Sequence, residues 1–203
     1  KEKYGEMYDI TRPENAELMV IKLLSGFVVR KETPHIVLPL ATFNCSIKPF
    51  VDLIDSDYID SNNKKYAEFV EKYKNSEYFD HVSILISEWA NRGDLLEFLR
   101  KNYKHFKLIH WKALFFQIIS VLAVIQAKYP TFRHNDLKAN NILLQKISGG
   151  GLIYRINGKT YNVPSIGYRI KLWDFDFACV DGIVSNAKVN ADWTTHINIT
   201  SKQ

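Results

Sequence analysis

The sequence predicts an α+β fold, and three patterns carry the prediction. Apolar residues recur at helical spacing from Trp111 to about Lys128, Val82-Ser83-Ile84-Leu85-Ile86 is a compact β-branched run, and Asn157-Gly158 sits between two alternating segments as a hairpin turn does. A chain of 203 residues can bury a real core in one or two domains. Its 27 Lys and Arg against 22 Asp and Glu give a net charge of +5, a surface that tolerates phosphates or acidic partners. No dense Lys/Arg block is present, so nucleic-acid binding is not expected.

Cys45 and Cys179 are far apart and lack metal-ligand spacing, which argues against a disulfide scaffold or a zinc site and fits a reducing compartment. The most apolar stretch, Ala113 to Ala127, is broken by Gln117, Ser120 and Gln126 and reads as too short to span a bilayer. No secretory signal pattern is found, and a start at Lys1 is expected of a fragment.

Taken in order, Lys1 to Ile10 is charged and aromatic without a period. Thr11-Arg12-Pro13-Glu14 reads as a capping box with Thr11 as N-cap, opening a helix over about 12–30. Leu18, Ile21, Leu24 and Val28 share one face of it, and Glu17 lies on the flank. Pro34 to Leu40 and Phe43 to Ile47 are strand material broken by prolines, so at least one strand should lie at an edge. Residues 61–80 are rich in Lys and Glu, with Tyr66, Phe69, Val70 and Tyr73 at helical spacing, and predict an inserted amphipathic helix in a solvated excursion.

After the 82–86 strand comes Ser87-Glu88-Trp89-Ala90-Asn91-Arg92-Gly93-Asp94-Leu95, a short polar linker into a helix over 93–100. The longest helix, from Trp111, is apolar on most sides and should be buried, with Pro130 discouraging its continuation. Ile142, Leu143 and Leu144 predict a short buried strand. Residues 149–166 open on three glycines and carry the hairpin, read as a surface insertion. Tyr168 to Trp173 resumes as a strand. From Ala178 onward periodicity is weak and Ser, Thr, Asn and Asp accumulate.

The densest chemistry lies in the loop 132–144, Phe-Arg-His-Asn-Asp-Leu-Lys-Ala-Asn-Asn-Ile-Leu-Leu. A tight loop there can turn the Asp136 carboxylate, the Lys138 ammonium and the Asn141 carboxamide toward one small volume. Such a trio suits phosphoryl transfer: a carboxylate for a hydroxyl, a cation for the transferred phosphate, an amide oxygen for Mg²⁺. His134, Asp136, Leu137, Lys138 and Asn141 resemble the catalytic loop of the protein kinase superfamily, with Asn135 where that family usually has Arg. Lys171 to Ala178, around Asp174-Phe175-Asp176, resembles the family's strand and Asp-Phe-Gly element, with Asp176 in place of Gly. With this texture, the chain looks closest to the divergent serine/threonine kinases of large DNA viruses.

The resemblance implies a two-lobed fold clipped at both ends. A partial small lobe, 1–88, would hold antiparallel strands and one helix, and a mainly helical partial large lobe, 89–203, would hold the catalytic loop, the insertion and an activation segment from Asp174. It implies Asp136 as the carboxylate that accepts or orients the hydroxyl proton, Lys138 beside the transferred phosphate, and Asn141 and Asp174 as Mg²⁺ ligands. For ATP it implies the backbone of Glu88 and Ala90 at the adenine edge, Ser87 at the back of the pocket, Asp94 near the ribose and Leu143 beside the nucleotide. Glu17, with Glu14 second, would pair with the phosphate-binding Lys, although an ordinary surface Glu fits the sequence equally. His134 is expected to support the loop. Asp176 either strengthens metal binding or removes the backbone freedom of Gly.

No Gly-rich phosphate loop with its strand Lys is found, Lys1 and Lys3 being poor candidates, nor an Ala-Pro-Glu triplet. Asn135 cannot pair with a phosphorylated loop, so turnover is expected not to depend on such phosphorylation through this residue. Ser185, Thr194, Thr195, Thr200 and Ser201 remain candidate phosphosites. Three readings follow: a serine/threonine protein kinase acting on a protein hydroxyl, a pseudokinase that binds partners without turnover, and a small-molecule phosphotransferase of the aminoglycoside or choline type. A cytoplasmic setting is expected, in a host cell or a virion.

Overall fold

The structure, a computed structural model, describes residues 6–53, 59–60 and 62–192. Lys1, Lys3, Ser61, Thr194, Thr195, Thr200 and Ser201 lie outside the described residues. The elements run α1 (Pro13–Val29), β1 (Pro39–Ser46), α2 (Lys48–Val51), α3 (Lys64–Lys74), β2 (His81–Ser87), α4 (Leu95–Asn102), α5 (Leu108–Lys128), β3 (Phe132–Arg133), β4 (Ile142–Lys146), β5 (Leu152–Ile156), β6 (Lys159–Val163), β7 (Tyr168–Leu172), β8 (Cys179–Val180) and α6 (Ala187–Asp192). The fold is α+β: helices mixed with four antiparallel strand pairs, β1–β2, β3–β8, β4–β7 and β5–β6.

The start of α1 differs from the capping box read at Thr11. Pro13 occupies the first turn, where its missing N–H costs nothing. The N-cap therefore falls on Arg12, which makes no side-chain cap. Thr11 instead donates from its backbone N–H and its hydroxyl to Asp9 Oδ1, at 2.8 and 2.7 Å. The buried face is Ala16, Val20, Ile21, Leu24 and Phe27, so the apolar stripe is rotated from the expected one. Leu18 and Val28 flank it, half-buried.

Residues Pro34 to Leu38 form no ladder strand. Ile36 makes a single parallel bridge to Leu172, with Leu172 N–H donating to His35 O and Val37 N–H to Leu172 O. The inserted helix is shorter than 61–80: α3 starts at Lys64, capped by the Asn63 side chain on Tyr66 N–H, and ends at Lys74. Helix α4 begins at Leu95 because Asp94 Oδ1 accepts the Glu97 N–H and caps it.

Helix α5 starts three residues before Trp111, where His110 Nδ1 accepts the Lys107 N–H at 3.0 Å and closes the first turn. At 21 residues it is long and apolar enough to cross a membrane by length and composition, so the expectation that this stretch is too short does not hold. Its Ala113, Leu114, Gln117, Val121 and Ile125 are nonetheless buried within the protein. One core joins α1 and α5 to Ile36, Ile142, Leu144, Ile170, Leu172, Phe175 and Val180.

The 149–166 insertion is less superficial than read. Asn157 and Gly158 both take positive φ, 49° and 73°, the geometry of a tight two-residue hairpin turn. Its strands β5 and β6 turn Tyr154 and Val163 inward against Ala113 and Phe116 of α5. Tyr154 and His35 share a 2.8 Å hydrogen bond, and His35 Nδ1–H donates to Ile170 O at 2.9 Å. The hairpin is thereby tied to β7.

Candidate functional site

Register brings the site together. In the β4–β7 pair Ile142 faces Leu172, so the residues that precede β4 and those that follow β7 emerge at the same end. The β3–β8 pair frames the other side, with Arg133 opposite Cys179. Two loops, 134–141 and 173–178, are therefore held face to face by two short ladders. Trp173 N–H donates to Asn141 O at 3.2 Å, and buried His134 holds Trp173 O at 3.1 Å through Nε2. His134 supports the loop and also contacts the fully buried Phe175 ring at 5.1 Å.

Within the first loop, Asp136 Oδ2 accepts from Lys138 Nζ at 2.7 Å and from Asn141 Nδ2 at 2.9 Å. Lys138 and Asn141 hold the Asp136 carboxyl below the usual carboxylate range, keeping it anionic at neutral pH. Asn141 Nδ2 also donates to Asp136 O at 3.0 Å, so both bonds use its nitrogen and leave its oxygen for another partner. Asp174 adopts φ 59°, a left-handed conformation sustained by the ties on Trp173 and by buried Phe175. Its charge and that of Asp136 both act on His134, partly offsetting the burial that lowers the pKa of that ring.

Glu17 reaches the same place from α1. Burial and the charges of Asp176 and Asp174 push its carboxyl up to about 7, against a backbone hydrogen bond from Phe175 and the charge of Lys188. It also lines a cavity of about 380 Å³ with Leu18, Val82, Ile84 and Leu85. Glu14 is exposed and pairs with Arg12.

The linker 87–94 is stitched to β4. Arg92 N–H donates to Leu144 O, Leu144 N–H to Gly93 O, and Lys146 N–H to Asn91 Oδ1, all within 3.0 Å. Glu88 N–H is taken by Leu38 O at 2.9 Å, which makes the carbonyl the Glu88 backbone group to be considered for a ligand. Ser87 ends β2 half-buried, Ala90 is buried, and Leu143 is half-buried in bridge contact with Asp94. One Asp94 oxygen is committed to the α4 cap.

The pairing of two side chains here went unrecognised in the sequence. Glu88 Oε1 accepts from Lys171 Nζ at 2.6 Å and from Leu38 N–H at 2.8 Å, and Lys171 is buried on β7. The available signal was a Lys inside the apolar run Ile170 to Trp173, where an uncompensated charge is costly.

A loop carrying Asp, Lys and Asn, faced by a turn carrying Asp-Phe, is the arrangement of the protein kinases. The chain matches the family described as poxvirus serine/threonine protein kinase over residues 6–201, and it belongs to that family. It is 47% identical to the Acanthamoeba polyphaga mimivirus protein named "Putative serine/threonine-protein kinase R400", in an alignment of 211 positions covering all of this chain and 45% of that protein. Serine/threonine-protein kinase haspin of Bos taurus is 33% identical over 110 residues, 53% of this chain and 14% of that protein. The Mus musculus haspin is 35% identical over 83 residues, 40% and 11% of the two chains. The chain thus spans under half the length of these curated relatives.

Proposed function

We propose that the protein transfers the γ-phosphoryl group of Mg-ATP to a Ser or Thr hydroxyl of a protein substrate. The observation that carries this reading is the Asp136 carboxylate fixed by Lys138 and Asn141, in a loop hydrogen-bonded to the one that carries Asp174. Asp136 orients the acceptor hydroxyl and takes its proton. Lys138, exposed at the loop, swings from Asp136 to the transferred phosphate. The elements form two lobes meeting at the 87–94 linker, where the carbonyl of Glu88 and the backbone of Ala90 meet adenine, Ser87 lies behind it, Leu143 lies under it and the second Asp94 oxygen meets the ribose.

The donor set fits Mg²⁺. Asn141 Oδ1 and the Asp174 carboxylate are hard oxygen ligands, and among the described residues no group of three or more His, Cys, Asp or Glu makes a metal cage. An ion held by one or two side chains and completed by phosphate oxygens is the usual Mg²⁺ arrangement. When bound, it neutralises charge on the phosphates. Glu17 is placed to receive a phosphate-binding Lys.

Lys138 on Asp136 favours the protein kinase over the small-molecule phosphotransferase. Helix α5 serves as a core helix in this reading, and the setting is cytoplasmic. The test is incubation with γ-labelled ATP, Mg²⁺ and either Ser/Thr peptides or aminoglycoside and choline acceptors. Labelled peptide is expected, and Asp136→Asn should lower the rate by about 10²- to 10⁴-fold without unfolding the chain. Nucleotide binding with no labelled acceptor would favour the pseudokinase.

A further inference from the structure

Asp176 stands where the kinase resemblance places Gly, and its backbone is not among the positive-φ positions, so the freedom of Gly is not needed there. Its carboxylate, like that of Asp174, acts electrostatically on Glu17, and it stands two residues from Asp174 in the chain. Carboxylates that act on one another repel unless a cation joins them. That cation comes from α6. Lys188 Nζ bonds Asp176 Oδ2, lies 3.9 Å from the centre of the Phe177 ring, and its charge acts on Glu17.

The segment that delivers Lys188 is bolted in place. Asn186 Nδ2 donates to Asp176 O at 2.9 Å and to Ala178 O at 3.2 Å. Ala187 N–H donates to Thr11 O at 2.7 Å, joining the start of α6 to the entry of α1. Lys188 is thus a built part of the Asp174-Phe175-Asp176 turn.

We propose that Lys188 is a positioning residue that holds the Asp176 carboxylate away from the divalent-ion position at Asn141 and Asp174, and so sets the affinity of that position. The inference rests on the metal reading of those two residues. Without the ammonium, Asp176 is free to turn toward the ion and the cluster gains a full negative charge. A merely structural lysine gives the opposite sign, because its loss loosens the turn that presents Asp174.

The experiment is calorimetric titration of the 203-residue chain with Mn²⁺ alone, with circular-dichroism melts of every variant. Lys188→Met should tighten Mn²⁺ binding by about three- to tenfold, the effect of removing one nearby charge. Lys188→Arg should stay within about twofold of wild type, Asp176→Asn should weaken binding, and the double variant should return close to wild type. Weaker or unchanged binding by folded Lys188→Met overturns the proposal. If that variant does not fold, Asp176→Asn and Lys188→Arg decide, and unchanged binding by Asp176→Asn overturns it. If Asn141→Ala and Asp174→Asn bind Mn²⁺ as wild type does, or wild type binds none, the metal reading fails and takes the proposal with it. If those two lose binding while Lys188→Met is unchanged, only the role of Lys188 has failed.

Discussion

The ammonium of Lys171 lies 2.6 Å from Glu88 Oε1, joining β7 to the start of the 87–94 linker, with the lysine side chain 5% exposed and the glutamate 24%. The same carboxylate oxygen accepts the Leu38 N–H, so three segments meet at one atom. Breaking one side of a largely buried pair strands the other charge, here partly open to water. Lys171→Met should therefore cost about 2–3 kcal/mol of unfolding free energy in urea titrations, below the full penalty for a buried pair. Lys171→Met combined with Glu88→Gln should recover a large part of that loss. A double variant no more stable than the single one would show that Lys171 acts by packing.

Asn135 sits at φ 61°, where Asn is among the tolerated non-glycine residues, and its Nδ2 donates to Phe177 O at 2.9 Å. It ties the 134–141 loop to the turn after Asp174 without any phosphate. Asn135→Ala should destabilise by roughly 1–2 kcal/mol, from the lost hydrogen bond and the less tolerated backbone. Phosphatase treatment should leave turnover unchanged, and a large drop would show that another residue reads a phosphorylated loop.

The convergence of Asp136, Lys138 and Asn141 was legible because they are close in sequence, and a tight loop has few ways to arrange them. Helix α5 and the hairpin turn at Asn157-Gly158 were legible from period and turn chemistry. What could not be read is long-range. Glu88 and Lys171 are distant in sequence, as are His35 and Tyr154, and nothing in either residue's neighbourhood names its partner. The misread start of α1 has a local cause: Asp9 Oδ1 takes the Thr11 N–H that a capping box would give to Glu14. The hairpin was misread as superficial because its inward residues, Tyr154 and Val163, alternate with exposed ones and reveal no floor until α5 is beneath them.

His35 gives the protein an acid-side weakness. Burial lowers its pKa to about 4, against the donation to Ile170 O. The folded form refuses a proton that the unfolded chain accepts below about 6.5, so stability is full above that pH and falls as pH drops toward 4. The loss should reach up to about 3 kcal/mol across the window, the equivalent of the shift. His35→Gln should be less stable at pH 7 yet show a flatter dependence between pH 6.5 and 4 in denaturant titrations. An equal slope in the two proteins would place the acid sensitivity elsewhere.

Glu17 acts in the opposite direction. Its carboxyl titrates near 7 in the folded chain and near the ordinary 4.5 when unfolded, because burial, Asp176 and Asp174 all disfavour its charge. Between those values the folded form keeps a proton that the unfolded chain has released, so stability falls as pH rises through the window and the full cost is present above 7. Glu17→Gln removes the charge while keeping the shape, and should raise the melting temperature relative to wild type more at pH 8 than at pH 5. A gap that does not change with pH would mean that Glu17 is already neutralised by a cation. In the kinase reading this buried acid has a use: a lysine brought to it at neutral pH would recover the cost of its ionisation. The same substitution should then lower turnover even as it stabilises the fold, and the two measurements moving together would remove Glu17 from the nucleotide site.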